Sequence, residues 1–141
     1  MTRCVPALPM PSLHRRHLVA LLAAVAVPSR LQAQERVQRS FPADALRGVL
    51  QITQAPEALL DGQPARLAPG ARIRGTDNLL VMSGAIAGQA LLVHCTVDTL
   101  GLLKDIWVLR ADEAVRFWPR TPAEAARHQL DPAAQTWTRR P

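Results

Sequence analysis

Two runs of strand-forming residues, 91–97 and 102–109, stand on either side of Asp98-Thr99-Leu100-Gly101. Both are rich in Val, Ile, Leu and Trp, which suit a pleated, half-buried surface. Asp opens the turn and Gly closes it, the chemistry of a type I turn followed by a residue free to take positive φ. A three-residue loop, Thr99-Leu100-Gly101, pairs Asp98 with Leu102. One face then carries Leu91, Val93, Cys95, Val97, Leu103, Asp105, Trp107 and Leu109, apolar except for Asp105. In this register Trp107 points inward opposite Val93. A two-residue loop shifts every pair by one and sets His94 opposite Asp105, with Trp107 beside them. The tip has no Asn-Gly or Gly-Gly, which favours the first register.

Residues 1–33 read as a signal peptide. Arg15 and Arg16, flanked by His14 and His17, precede an uncharged apolar run over 18–27, then Pro28, Ser29 and Ala33. As a helix that run spans about 15 Å, roughly half of a hydrocarbon core, so it is not a membrane span. Cleavage is expected between Ala33 and Gln34, although Leu31 is larger than the small residue usual before such a site. The paired arginines leave the twin-arginine and the general secretory routes both open. An Ala- and Arg-rich chain with Lys104 as its one lysine points to a GC-rich bacterial genome, hence to a periplasmic or secreted protein.

Export also changes the charge. The chain is +6, but removing Arg3, Arg15, Arg16 and Arg30 from its 17 basic residues leaves 13 against 11 acids. An excess of two is no footprint for nucleic acid. Cys4 leaves with the signal, so Cys95 is the one cysteine of the mature chain and no internal disulfide can form. On a strand it reads as a small buried apolar residue, with a reactive thiol or metal ligand as the other reading.

Residues 34–45 are polar and aperiodic and read as a flexible lead-in. A β-domain is expected over 46–110. Its first strand is 46–52, where Gly48 marks a bulge or bend. Asp61-Gly62 is a two-residue hairpin signal between 58–60 and 63–65, and Pro64 confines that arm to an edge. Leu67-Ala68-Pro69-Gly70 is a type II turn candidate, followed by short strands at 71–74 and 79–82. No long helical period occurs between residues 46 and 109. The fold class expected is mainly β, a small barrel or rolled antiparallel sheet of about six short strands with a short C-terminal helix. In the tail, 111–141, Thr121-Pro122-Ala123-Glu124 starts a helix over 122–129 with Thr as N-cap and Glu in a capping box. Trp118 and Trp137 bracket it, either packing back on the domain or lining a groove.

The order LRGVLQI, LLDGQPARLAPGARIRG, LLVMSGAIAGQALLVHCTVD, GLLKDIWVL resembles a family of uncharacterised small secreted proteins of Gram-negative bacteria. The likeness covers most of residues 41–137 and implies a signal peptide and a small β-domain, with no activity attached. A strand with an early Gly, an Asp-Gly hairpin and a V-x-x-D-x-x-G hairpin are similar to small OB-like barrels, which implies topology alone.

No nucleophile elbow, zincin helix, paired-cysteine motif, P-loop or dinucleotide fingerprint occurs. His94 and His128 are far apart in sequence, no ligand spacing suggests a metal, and no cofactor is expected. The acids stand singly, and Asp61, Asp77 and Asp98 sit where turns want Asp. Arg72 and Arg74 project from one strand face about 7 Å apart and could hold a carboxylate or phosphate; a solvated face is the plainer reading. With Trp107 they make the candidate ligand-binding set, while His94 and Asp105 make an alternative polar cluster. The function expected is an exported, non-catalytic binding or accessory module of the bacterial envelope. Its partner is an envelope protein or a small anionic ligand. The alternative is a structural partner that docks by an edge strand or its Trp-bearing tail. An enzyme built on His94 and Asp105 comes third.

Overall fold

A computed structural model of the chain describes residues 38–141. The expected signal peptide, its expected cleavage point at Ala33 and Gln34, and residues 34–37 lie outside the described residues. The order is β1 (Leu46–Gln54), β2 (Glu57–Leu60), β3 (Gln63–Arg74), β4 (Ala90–Val97), β5 (Leu103–Val108), α1 (Ala111–Ala114), α2 (Pro122–Ala126), β6 (His128–Asp131) and β7 (Thr136–Arg139). The fold is mainly β, as expected. Strands β1 to β5 form a rolled sheet in the order β1-β2-β3-β5-β4, and β4 pairs back to β1. All pairs are antiparallel except β3–β5, which is parallel. Strands β6 and β7 make a separate antiparallel hairpin. Among the described residues no helix is long and apolar enough to cross a membrane.

Alternation along the strands fills the roll. Leu50 and Ile52 of β1, Ala58 of β2, Leu67 and Ile73 of β3, Val93 and Cys95 of β4, and Leu103 and Ile106 of β5 form one buried cluster. Asp61-Gly62 makes the two-residue hairpin, with φ of 51° and 78° and Leu60 opposite Gln63. Cys95 is a buried free thiol, and burial raises its pKa to about 11. Gly48 lies in regular pairing with Val93, so it is no bulge. It is needed for close approach, because a Cβ there would stand 2.7 Å from Leu60 Cδ1.

Three expected turns and strands resolve differently. Leu67-Ala68-Pro69-Gly70 is no turn between strands. It is an irregularity inside β3 where the register to β5 jumps from Leu67 to Arg72, with Gly70 at φ 75°. There β3 passes from pairing with β2 to pairing with β5. The expected strand at 79–82 is a loop held by one bridge, Arg74 to Leu80. The run lies along the end of β3, with Gly75 N–H donating to Leu79 O at 2.9 Å and Val81 N–H to Ile73 O at 2.8 Å, but makes no longer ladder, and Leu79, Leu80 and Met82 stay exposed.

The β4–β5 hairpin combines the expected loop with an unexpected bulge. Asp98 N–H donates to Leu102 O at 2.8 Å, Gly101 has φ 79°, and Val97 faces Leu103, as the three-residue loop requires. The register then slips by one, and Cys95 faces Ile106 and His94 faces Trp107. Lys104 and Asp105 together oppose Thr96, whose hydroxyl accepts from Asp105 N–H at 3.3 Å. Ile106 therefore turns into the roll with Leu103. Trp107, expected opposite Val93 in the core, goes to the outer face beside His94.

That outer face is covered. Phe41, Ala45, Leu109 and Trp118 form a second buried cluster, with Leu92, Trp107, Leu130 and Trp137 packed on it. Residues 38–45 of the expected flexible lead-in are thus a packed segment: Arg39, Phe41 and Ala45 are buried. The helix expected over 122–129 ends at Ala126, and His128 begins β6. Thr121 caps it, accepting from Glu124 N–H at 3.1 Å, while the Glu124 carboxylate accepts from Arg120 N–H at 2.8 Å. Phe41 N–H donates to Gln135 Oε1 at 2.7 Å, and Trp118 Nε1 donates to Ala45 O at 2.7 Å. The lead-in and the tail hold each other on the roll.

Candidate functional site

Glu113, on the one-turn helix α1, is the centre of a buried ionic network. Its carboxylate accepts from Arg39 Nε at 2.9 Å, pairs with Arg39 Nη2, takes Arg110 Nη2 at 3.0 Å, and accepts from Arg110 N–H at 2.9 Å. Burial alone would push the carboxyl up, but the hydrogen bonds from Arg39 and the Arg110 backbone, with the charges of both arginines, hold it below the usual carboxylate range. Arg39 also donates to Gly75 O and Val108 O, both at 2.8 Å. It thereby ties the lead-in to the ends of β3 and β5.

Arg47, on β1, donates to Glu113 O and Ala114 O, both at 3.0 Å, at the end of α1. Burial, and then the charge of Arg120, lower its pKa. Its Nε donates to His94 Nε2 at 3.3 Å, which assigns the ring proton to Nδ1. That atom is buried with no hydrogen-bond partner. His94 stacks on Trp118, centroids 4.3 Å apart, and meets Phe41 edge-on at 4.6 Å. Burial, and then Arg47, depress its pKa to about 3, so the imidazole is neutral.

A groove of about 690 Å³ opens in front of this network. Arg74 and Trp107 line it from facing positions of the parallel β3–β5 pair. Arg110 follows β5, Gln38, Arg39 and Ser40 come from the lead-in, and Asp77 and Asn78 come from the turn after β3. Asn78 adopts φ 67°, a conformation Asn tolerates well, and Asp77 Oδ1 accepts from Leu79 N–H at 3.0 Å to fix the turn. The Arg74 guanidinium makes no side-chain hydrogen bond or ion pair among the described residues.

No family model, curated protein or solved structure matches this chain. The site therefore rests on its own geometry. Of the three candidate ligand residues, Arg74 and Trp107 meet in the groove. Arg72, two pairs away, is held by Asp105, Nε to Oδ1 2.7 Å, and this hydrogen bond raises its pKa. His94 and Asp105 do not form the alternative polar cluster. The bulge sets Trp107 opposite His94, whose partner is Arg47, while Asp105 engages Arg72 and Thr96. Among the described residues no group of three His, Cys, Asp or Glu gathers as metal ligands.

Sequence reasoning missed Arg39, Arg47, Arg110 and Glu113. The Glu113 signal was present, since an acid at the third position of a helical turn is half of a capping box. Nothing local marked Arg39, because its three acceptors lie 36 to 74 residues away.

Proposed function

We propose that the protein is an exported, non-catalytic binding module of the bacterial envelope that holds a small anionic ligand in the Arg74–Trp107 groove. One observation carries the reading: a guanidinium with no side-chain hydrogen bond or ion pair among the described residues stands beside an indole in a concave site. The buried ion pairs behind it hold Arg39 and Arg110 in the walls, so binding orders chiefly the Arg74 side chain. The five-strand roll supports the likeness to OB-like barrels, although that likeness carries no function by itself.

The other two readings draw less support. The strands of the roll close on one another, and Trp118 is buried in the second core with Trp137 packed on it, so among the described residues an edge-strand partner has chiefly the two-stranded β6–β7 hairpin to join. The enzyme reading loses its cluster, because His94 and Asp105 are committed to different partners.

Thermal shift of the protein with acetate, inorganic phosphate and citrate at low ionic strength tests the groove. We expect a saturable rise in Tm that disappears in Arg74→Gln and survives in Arg72→Gln. Trp107→Ala should remain folded, since this indole is only half-buried, and should lose the response. No rise with these anions and no binding of a larger organic anion, or a rise that Arg74→Gln leaves intact, would sink the reading.

A further inference from the structure

We infer that the groove selects an acidic sugar, a hydroxyl-bearing ring that carries one carboxylate or phosphate; this rests on the anion-binding reading above. The argument is one of donors and acceptors. Arg74 supplies a planar cation suited to a carboxylate or phosphate edge. Trp107 supplies a flat apolar ring, and its indole N–H makes no hydrogen bond among the described residues. Such a ring covers the C–H face of a saccharide while its N–H meets a hydroxyl. Asp77 is the discriminating residue. Its Oδ1 is used by Leu79 N–H, which leaves Oδ2 as an acceptor at the rim.

That carboxylate repels a bare anion, but it accepts well from a hydroxyl. The Asn78 amide and the Ser40 hydroxyl make no side-chain hydrogen bond among the described residues and stand on the same groove. Inorganic phosphate would use the guanidinium alone and meet Asp77 unfavourably. A fatty or aryl acid would leave Asp77, Asn78 and Ser40 without partners and strip their water. A ring with several hydroxyls and one anionic group satisfies every one of them.

Isothermal titration of the protein with D-glucuronate, glucose 6-phosphate, methyl glucoside and acetate tests this, the first two separating carboxylate from phosphate. We expect one of the two acidic sugars to bind roughly tenfold tighter than both acetate and methyl glucoside. Arg74→Gln should reduce that binding by a similar factor. Asp77→Asn should narrow the preference for the sugar over acetate, because acetate then gains as its repulsion is removed. Acetate binding as tightly as either acidic sugar overturns the inference and leaves the anion-binding reading standing. Failure of all four probes, with the thermal-shift anions also silent, overturns both. Acidic-sugar binding that is unchanged in Arg74→Gln places the ligand elsewhere and also overturns it.

Discussion

At the scale of the residue, the most constrained side chain is His94. It is neutral because protonation would place a cation between Trp118, Phe41 and the Arg47 guanidinium. Its folded-state pKa of about 3 lies below the ordinary 6.5. The unfolded chain therefore binds a proton that the folded chain refuses once the pH falls below 6.5, and stability declines from there down to the folded value. At about 1.4 kcal/mol per unit, the upper bound on this loss is on the order of 4–5 kcal/mol. Glu113, also depressed, acts in the same direction, but only within the carboxylate range. Urea midpoints measured between neutral pH and pH 5 should fall steadily in the wild type and fall less in His94→Phe. Equal slopes would contradict a buried neutral imidazole. The sequence marked His94 as a residue to watch but misjudged its partner. Asp105 was the nearest candidate in a regular ladder; Arg47 reaches His94 only because β1 closes the roll against β4.

At the scale of the element, the Lys104-Asp105 bulge decides the arrangement of the site. The loop at 98–102 could be read from its turn chemistry, and it formed as read. The bulge six residues from Asp98 could not, because nothing in the turn encodes it. One local sign was present: two polar residues in succession between Leu103 and Ile106 break the alternation. Without the bulge Asp105 would enter the core and Ile106 would face the second layer. Deleting Lys104 leaves Asp105 alone opposite Thr96 and keeps Ile106 against Cys95 and Trp107 against His94, so the deletion variant should keep its cooperative thermal transition. Lys104→Ala keeps the residue count, loses an exposed side chain, and should melt near the wild type. If the deletion variant loses its cooperative transition while Lys104→Ala keeps it, Lys104 and Asp105 do not share one partner position. The same reasoning covers Leu67-Ala68-Pro69-Gly70, where residues that spell a turn instead serve a kink in one strand.

At the scale of the whole molecule, the roll and its wrapping are two cores that share strands. The fold class was legible because alternation and turns are local properties. The wrapping was not legible, because Arg39, Phe41, Trp118 and Gln135 gain meaning only from contacts across most of the chain length. A chain ended after Arg127 lacks β6, β7, Gln135 and Trp137, and Phe41 N–H then loses its acceptor. That variant should keep much of its strand signal in far-ultraviolet circular dichroism while losing the near-ultraviolet bands of its packed aromatics. Native-like near-ultraviolet bands would show that the hairpin is dispensable.

The interlock of lead-in and tail also has a consequence in time. Gln135 must be present before Phe41 can be seated, and Trp118 before His94 is shielded from water. During synthesis, residues 41 and 94 leave the ribosome well before residues 118 and 135. The second core therefore closes last, in a step that belongs to the nearly finished chain. Until then the protein carries an open, greasy, half-built flank, and any helper that accompanies it through biogenesis has that flank to hold.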